Sequence, residues 1–398
     1  MSSAPTSMLN ADDMVRDAIS QTGLSQFSDD SYREPLRVLV TALNQEARLN
    51  ETGKAIQRYR LTDILSTNLR MQAYFTQHPE ILEEEIRAPV VIAALPRTGS
   101  TMLHRILASD PRFYAPFFYE VRFPAPADNW DFTVANDERI PKAKAEVQAM
   151  LEGSPDLAAA YPLDATAADE EIMLLENSFY SIMPSVCNYV PSYSQWTATH
   201  DNTPGYQSLK RQLQFLQWQK KRSGVGSSAQ RWLLKTPHHL LYLSTLLKTF
   251  PDAVLIQTHR DPRETIPSNC SLIEALYKLG SDTVNPLAIG AEWAARWAQG
   301  MERSLAIRQA HPSTFFDVSY DKLASDFDGV MLDLYRFLNM PWTDDVKNAM
   351  EQWREANRRE LRPQHHYDMA TYGLTESGLQ TLFAPYRAFL AQLSHTRP

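Results

Sequence analysis

Short apolar runs alternate with longer amphipathic stretches along most of this chain. The run APVVIAAL, at residues 88–95, has the length and β-branched character of a strand buried on both faces. Similar runs predict further strands within residues 231–237, 252–262 and 313–323. Because helical patterns follow these runs, the order of elements favours a parallel sheet with helices on its faces. The predicted fold class is α/β.

Helical spacing of apolar residues dominates other regions. Residues 10–87 place leucines where they share one buried face, and they contain few glycines or prolines. We therefore predict an N-terminal helical extension over residues 1–87, packed on an α/β domain that spans residues 88–398. Further helices are predicted over residues 169–183 and 204–222.

Composition narrows the functional classes. The chain has 398 residues, of which 43% are hydrophobic, and its formal net charge is −8 at pH 7. This acidic balance argues against a general nucleic-acid binder, which needs excess Lys and Arg to replace phosphate counterions. Two cysteines, Cys187 and Cys270, imply no disulfide framework. With no secretory pattern and no run near the ~20 apolar residues of a membrane span, we expect a cytoplasmic protein; a homo-oligomer is compatible with the sequence.

The turn after the first predicted strand combines a cation, a glycine and hydroxyl groups. It reads PRTGST, at residues 96–101, and a helical pattern follows it. The unpaired N–H groups and positive dipole of a helix that begins there form an anion cradle. Arg97 adds a fixed charge and Gly99 allows close backbone approach. The hydroxyl donors are Thr98, Ser100 and Thr101.

This turn differs from the nucleotide triphosphatase motif G-x-x-x-x-G-K-[ST]. With Gly99 aligned to the second glycine, Ser100 replaces the lysine that reaches the β and γ phosphates, and Ala94 replaces the first glycine. An anion-binding turn without that lysine fits a donor whose transferred group carries less charge, such as a sulfonate. A P-loop kinase for a small molecule and a non-catalytic nucleotide-anion binding module are the alternatives.

A second basic turn follows the strand predicted within residues 252–262. Arg260 comes directly after that strand, Arg263 follows it, and Ser268 lies eight residues beyond Arg260. Ligands of open α/β sheets collect at the carboxyl ends of strands. We therefore expect this turn to lie beside the first one, so that two anion sites bind one ligand.

The segments PRTGSTMLHR, LLKTPHHLLYL and THRDPRETIPSNCSL, in this order and spacing, resemble the bacterial branch of sulfotransferases. The resemblance covers roughly residues 88–390 and implies a P-loop-like sulfotransferase fold. It also implies 3′-phosphoadenosine 5′-phosphosulfate (PAPS) as the donor. By this resemblance Arg260 and Ser268 bind the 3′-phosphate. The residues implied for the 5′-phosphosulfate are Arg97, Thr98, Gly99, Ser100 and Thr101.

Sulfonyl transfer to an alcohol needs positive charge at the leaving oxygen, and no metal is required. Arg97 stands where the cytosolic members of the family have a lysine, so its role would be charge stabilisation. Lys235 ends the strand predicted within residues 231–237 and is expected at the same sheet edge. Both are therefore candidates for the catalytic charge.

The reaction also needs a general base for the acceptor hydroxyl. Asp169, Glu170 and Glu171 open a predicted helix, where dipole capping alone also selects acids. The resemblance favours Glu170 as the base. The alternative candidates are His104, Glu120 and His238.

Aromatic-rich stretches at residues 113–120 and 177–196 predict an acceptor pocket for a bulky, partly apolar alcohol or phenol. Ordinary core packing accounts for part of them. The resemblance also places a C-terminal segment with His365, His366 and Tyr367 over the donor as a lid. The expected activity is transfer of a sulfonate from PAPS to a hydroxyl of a small acceptor.

Overall fold

A five-stranded sheet forms the centre of the protein. The computed structural model describes residues 8–127, 130–132, 137–224, 226–358 and 367–395. The strands are β1 (Val90–Ile92), β2 (Phe113–Tyr114), β3 (Arg231–Lys235), β4 (Val254–His259) and β5 (Phe315–Ser319). Their order is β2-β3-β1-β4-β5, and all four pairings are parallel. The predicted α/β fold class and its parallel sheet are confirmed.

The four strands predicted from apolar runs are all present. In the register of the sheet, Ile92 lies opposite both Lys235 and Ile256. The chain therefore leaves β1, β3 and β4 at one edge of the sheet, where the basic turns begin. Strand β2 lies in the aromatic-rich stretch 113–120, which was interpreted as an acceptor pocket, and so it was not predicted; its two residues pair only with the start of β3.

Alternate residues of β1 supply two different cores. Val91 packs with Leu234 in the larger core on one face of the sheet. Val90 and Ile92 pack with Leu233 in the core on the other face. Since successive side chains of a strand point to opposite faces, a run without polar residues is what a doubly covered central strand requires.

Three α-helices and a short 3-10 helix (Pro79–Glu83) precede the sheet among the described residues, and the leucine spacing predicts a helical segment here. The α-helices are α1 (Ala11–Thr22), α2 (Arg33–Gln45) and α3 (Glu51–Gln77). Asn10 caps α1 by accepting hydrogen bonds from two amides of its first turn. The apolar faces of these helices form a core that also contains Phe179, Val190 and Tyr193. This part of the chain is therefore packed against the segment that follows residue 168.

Helix α3 also makes polar contacts with that segment. Arg60 forms a buried ion pair with Glu176, and the Asn68 amide donates to the carbonyl of Asn177 at 2.7 Å. A helix of the N-terminal extension thus contacts residues only a few positions beyond the three acids at 169–171.

Seventeen α-helices follow β1 among the described residues. In chain order they are α4 (Ser100–Leu107), α5 (Phe118–Arg122), α6 (Arg139–Gly153), α7 (Pro155–Ala160), α8 (Ile172–Glu176), α9 (Met183–Cys187), α10 (Pro191–Thr199), α11 (Thr203–Ser223), α12 (His238–Leu241), α13 (Leu243–Thr249), α14 (Pro262–Tyr277), α15 (Pro286–Ala310), α16 (Tyr320–Ser325), α17 (Phe327–Phe337), α18 (Asp344–Ala356), α19 (Glu376–Leu382) and α20 (Ala384–His395). Helix α11 confirms the helix predicted over residues 204–222.

The single helix predicted over residues 169–183 is wrong. Within that range only α8 and Met183, the first residue of α9, are helical. The chain leaves α8 before Phe179, whose φ of 62° lies in the left-handed region. Glu171 does not cap the helix with its side chain, because its carboxylate is bound elsewhere. The apolar residues of this segment are buried from several sides, which imitates the pattern of one long helix.

Two features concern the surface and the termini. Within the described ranges, every helix is either too short or too polar to cross a membrane. Of the predicted lid, His365 and His366 lie outside the described residues. Tyr367 is described, and its hydroxyl donates to the carbonyl of Glu264 at 3.1 Å.

Candidate active site

The turn after β1 and the turn after β4 lie side by side. The Arg97 Nε donates to the Ser268 Oγ at 3.1 Å, across a separation of 171 residues in the chain. Beneath this contact, the hydroxyls of Thr98 and Thr258 are hydrogen-bonded at 2.6 Å. The fold therefore brings together the two basic turns that the sequence predicts at one sheet edge.

The backbone of the first turn is shaped for close approach. Arg97 and Gly99 both have positive φ, 67° and 83°. A Cβ at Gly99 would lie 2.9 Å from the ring of Tyr320, so glycine satisfies both the conformation and the space. No side chain caps α4, which begins at Ser100. Its first N–H groups and dipole are therefore directed at this turn, as an anion site requires.

The hydroxyl of Thr98 serves the turn itself. The side chain is fully buried, and its hydroxyl donates to the carbonyl of Leu95 at 2.7 Å. The Thr98 hydroxyl, predicted as an anion donor, is therefore already used within the turn. The backbone N–H of Thr98 remains the group that could bind an anion. Ser100 and Thr101 lie on the first turn of α4.

Arg97 lies in a half-enclosed, electropositive position. Burial lowers the pKa of its guanidinium; nearby tyrosines oppose this effect, and the charge of Arg260 adds to it. An arginine remains protonated under such conditions. Two guanidinium groups close enough to affect each other make the space between them favourable for an anion.

The second turn, residues 260–268, is called the recognition turn below. Arg260 pairs with Glu264, and its guanidinium lies 4.5 Å from the centre of the Tyr320 ring. Tyr320 therefore contacts Gly99 on one turn and Arg260 on the other. Arg263 pairs with Asp261 at 2.6 Å rather than with the first turn.

Lys235 joins the first turn to the acidic segment. Its side chain is 3% exposed, and its Nζ donates to the Thr101 Oγ1 at 2.7 Å. The same ammonium forms an ion pair with Glu170, whose side chain is 15% exposed. Thr101, Glu170 and Lys235 are called the transfer cluster below.

The environment of Glu170 favours a proton acceptor. Burial raises the pKa of its carboxyl above the ordinary value; the Lys235 ammonium partly offsets this, and the carboxylates of Asp169 and Glu171 add to it. A raised carboxyl pKa strengthens the base, because it brings the proton affinity closer to that needed at neutral pH. Glu170 is therefore the acid of the three whose surroundings suit catalysis.

Asp169 and Glu171 have other partners. Asp169 accepts from the Tyr161 hydroxyl at 2.9 Å and lies 3.5 Å from the Arg105 guanidinium. Glu171 pairs with His239 at 2.6 Å. The three acids were identified from the sequence, but His239 was missed as the partner of Glu171. The two adjacent histidines of KTPHH are the feature of the sequence that could have indicated it.

The other base candidates are enclosed in the protein. His238 is fully buried, and burial lowers its pKa well below the ordinary value. His104 is 1% exposed, and burial lowers its pKa to about 3. Both carboxylate oxygens of Glu120 are bound by Lys220, at 2.7 and 2.8 Å. None of these three side chains is placed beside Lys235 and Thr101 by a hydrogen bond, as Glu170 is.

Comparison with known proteins identifies the family. A family sequence model described as "Sulfotransferase family" matches residues 89–344 of this chain. This chain belongs to that family. The resemblance inferred from the basic turns is confirmed, and the protein is a sulfotransferase enzyme.

Solved sulfotransferases share its fold over nearly the whole chain. STF1 from Mycobacterium tuberculosis H37Rv (type1 form) has a TM-score of 0.81 at 30% identity, covering 95% of this chain and 99% of that one. STF9 from Mycobacterium avium has a TM-score of 0.83 at 27% identity, covering 97% of each chain. The N-terminal helices are therefore part of the shared architecture.

A curated relative adds a named activity. It is omega-hydroxy-beta-dihydromenaquinone-9 sulfotransferase Stf3 from Mycobacterium tuberculosis (strain CDC 1551 / Oshkosh), 25% identical over 268 residues. The match covers 63% of this chain, and the chain spans 63% of that relative's length.

Proposed function

We propose that this enzyme transfers the sulfonate of PAPS to a hydroxyl of a small, partly apolar acceptor. The contact between Arg97 and Ser268, at 3.1 Å, carries the proposal, because it joins two anion-binding turns into one site. A donor with a phosphosulfate at one end and a 3′-phosphate at the other has the charge distribution that such a site selects.

The residues divide between the two ends of the donor. The backbone N–H groups of residues 98–101, with Arg97, would hold the 5′-phosphosulfate at the beginning of α4. Arg260 and Ser268 would hold the 3′-phosphate. The Arg260 ion pair with Glu264 is partly exposed, 26% and 53%, so a phosphate can replace the carboxylate at small cost.

The transfer cluster supplies the acid–base and electrostatic parts of the reaction. The bound donor supplies an electrophilic sulfonate. Glu170 takes the proton of the acceptor hydroxyl as the acceptor oxygen forms its bond to sulfur. Lys235 and Arg97 stabilise the negative charge on the bridging oxygen, which keeps the electron pair of the broken sulfur–oxygen bond. The Thr101 hydroxyl accepts a hydrogen bond from the Lys235 ammonium and so fixes its position at the first turn.

The acceptor side adjoins Glu170. Phe117 pairs with Ala168 in an isolated β-bridge, and the Asp169 N–H donates to the carbonyl of Pro116 at 2.9 Å. The aromatic stretch 113–120 therefore lies against the acidic segment and supports an apolar acceptor pocket there. Of the stretch 177–196, Phe179 and Tyr193 pack in the N-terminal core, whereas Ile182 packs in the larger core beside the sheet.

The relative's name is consistent with this acceptor class. Omega-hydroxy-beta-dihydromenaquinone-9, the compound in that name, presents a hydroxyl on a largely apolar molecule. We infer an acceptor of the same general kind, an alcohol or phenol with an apolar body. The free thiols of Cys187 and Cys270 support the proposed cytoplasmic location.

Calorimetry with adenosine 3′,5′-bisphosphate tests the proposal. The wild-type enzyme should bind this product more tightly than ATP with magnesium. Arg97→Ala and Arg260→Ala should each weaken binding by about 1.5 to 3 kcal/mol, the scale of charge-assisted hydrogen bonds. Arg336→Ala, at a surface arginine that is 69% exposed, is the matched control and should bind normally. Preferential binding of ATP would contradict the proposal and favour a kinase.

A further inference from the structure

Glu171 occupies a junction that the proposed reaction does not use directly. It is fully buried, and its two carboxylate oxygens have different partners. One oxygen accepts from the backbone N–H of Lys235 at 2.8 Å. The other is 2.6 Å from the His239 Nε2. Glu171 therefore links the end of β3 to the short helix α12.

The link continues into the protein. The His239 Nδ1 lies 2.8 Å from the hydroxyl of Tyr206, and both of these side chains are fully buried. Tyr206 lies in the first turn of the 21-residue helix α11. The carboxylate is thus anchored through His239 to a long helix that packs on the large core.

The two neighbouring glutamates have opposite electrostatic settings. Burial tends to raise the pKa of Glu171, but the hydrogen bond and charge of His239 and the Lys235 N–H outweigh it, so this pKa is lowered. The pKa of Glu170 is raised. Environments that separate the proton affinities of two carboxyls separate their roles. Glu171 is held as an anion, while Glu170 is suited to accept a proton.

We propose that Glu171 is a positioning residue for sulfonyl transfer, acting with His239. The geometry shows how: its carboxylate binds the backbone of Lys235, and the next residue back along the chain is Glu170, which pairs with the Lys235 side chain. Both ends of the Glu170–Lys235 pair are thereby held by one anchored group. This role rests on the proposed function of the transfer cluster.

Rate measurements on Glu171→Gln test the proposal. This change preserves shape but removes the charge, so the transfer cluster loses its alignment. We expect kcat to fall by about 10- to 100-fold, the scale of a small misplacement of reacting groups. Affinity for adenosine 3′,5′-bisphosphate should stay within about twofold, since the donor contacts are intact. Unchanged kcat would overturn the proposal.

Asp110→Asn is the matched control, because it also replaces a buried carboxylate by a neutral amide. Asp110 is also fully buried, and it pairs with Arg112 and with the Tyr335 hydroxyl, away from Lys235. The Asp110→Asn variant should have a lower melting temperature than the wild type, but the same kcat per folded enzyme. An equal fall in kcat for both variants would show a general effect of destabilisation and overturn the positioning role.

A double-mutant cycle separates positioning from structure. If Glu171 acts through Glu170, Glu170→Gln should be almost as slow as the double variant, because the second change has nothing left to align. Independent, multiplicative losses would overturn the proposal. If Glu170→Gln alone keeps full turnover, the proposed base itself fails, which is a different result from an additive cycle.

The histidine gives a second route if Glu171→Gln does not fold. His239→Gln retains a donor in reach of the carboxylate and should keep kcat within about threefold, whereas His239→Leu removes it and should lower kcat by about tenfold or more. Equal activity of the two histidine variants would overturn the proposal.

Discussion

The transfer cluster and the recognition turn both contain an ion pair, but in very different surroundings. Lys235 and Glu170 are 3% and 15% exposed, whereas Arg260 and Glu264 are 26% and 53% exposed. Charges interact strongly where water is excluded and weakly where it is not. Under the proposed function, the enclosed pair is fixed for chemistry and the exposed pair is exchangeable for a ligand.

Support from the surrounding structure differs in the same way. The transfer cluster is held by Glu171 and, through it, by His239. The ion pairs within the recognition turn are local and partly exposed, as in Asp261 with Arg263 two residues away. Arg97 and Tyr320 also contact this turn. Changes in the transfer cluster should therefore alter the rate, and changes in the recognition turn should alter affinity. The following predictions are ordered from the largest effect to the smallest.

Lys235→Met should produce the largest loss. Removing the ammonium takes away the charge proposed to stabilise the leaving oxygen, and the single-turnover rate constant should fall by about 100- to 1000-fold. Lys221→Met is the control, because Lys221 pairs with Glu84 at the surface and is 53% exposed. A loss below about threefold would show that Lys235 has no role in the reaction. The transfer cluster would then not differ from the recognition turn in the way proposed.

Glu170→Gln should lower kcat by about 100-fold while bisphosphate affinity is preserved. As the proposed base, Glu170 must be ionised in the wild-type enzyme, and burial raises the pKa of its carboxyl above the usual value of 4.5. Activity should therefore fall as the pH decreases through this raised pKa. The acidic limb of the kcat/KM profile should disappear in the variant. An identical limb in both enzymes would assign the titration to another group.

Gly99→Ala tests the contact between the two turns through Tyr320. The added Cβ would lie 2.9 Å from the Tyr320 ring, and the φ of 83° at residue 99 is unfavourable for alanine. We therefore expect the free energy of unfolding to fall by about 1 to 3 kcal/mol. Gly23→Ala is the matched control, since its φ is 69° and its Cβ meets nothing within 4 Å. Equal shifts in melting temperature would show that the ring contact contributes nothing.

Glu264→Gln should give the smallest effect and the opposite sign. It frees Arg260 from a screened surface pair, so adenosine 3′,5′-bisphosphate should bind about two- to fivefold more tightly at low salt. The gain should shrink as ionic strength rises. Weaker binding in calorimetry would mean that Glu264 orients Arg260 rather than competing with the ligand.

The strand, turn and helix around each anion site were predictable from the sequence. The pairing of side chains that are distant in the chain was not. Each basic turn lies with its strand and helix in one continuous segment, residues 90–107 or residues 254–277, so the strand pattern and the helix-start chemistry identify it. The pairing of Lys235 with Glu170 spans 65 residues, and the pairing of His239 with Glu171 spans 68. Because the two glutamates are adjacent, no pattern along the chain shows which one meets the lysine.

The short helix α8 illustrates a second limit. Its apolar residues continue in a helical pattern past Glu176, but the backbone reverses at Phe179 so that this ring can enter the N-terminal core. Burial against a distant element overrides the local period there. Tyr320, which lies between Gly99 and Arg260, was likewise invisible because its role depends on the neighbouring strand.

The docking of α3 has a consequence for cooperativity. Arg60 neutralises the buried Glu176, whose carboxylate is 7% exposed and lies five residues beyond Glu171. Breaking a buried pair from one side costs about 3 to 5 kcal/mol. A protease cut near residue 88, followed by loss of the helices, would leave that charge uncompensated and uncover Phe179 and Tyr193. Catalytic competence and the integrity of the first 87 residues should therefore be lost in a single transition.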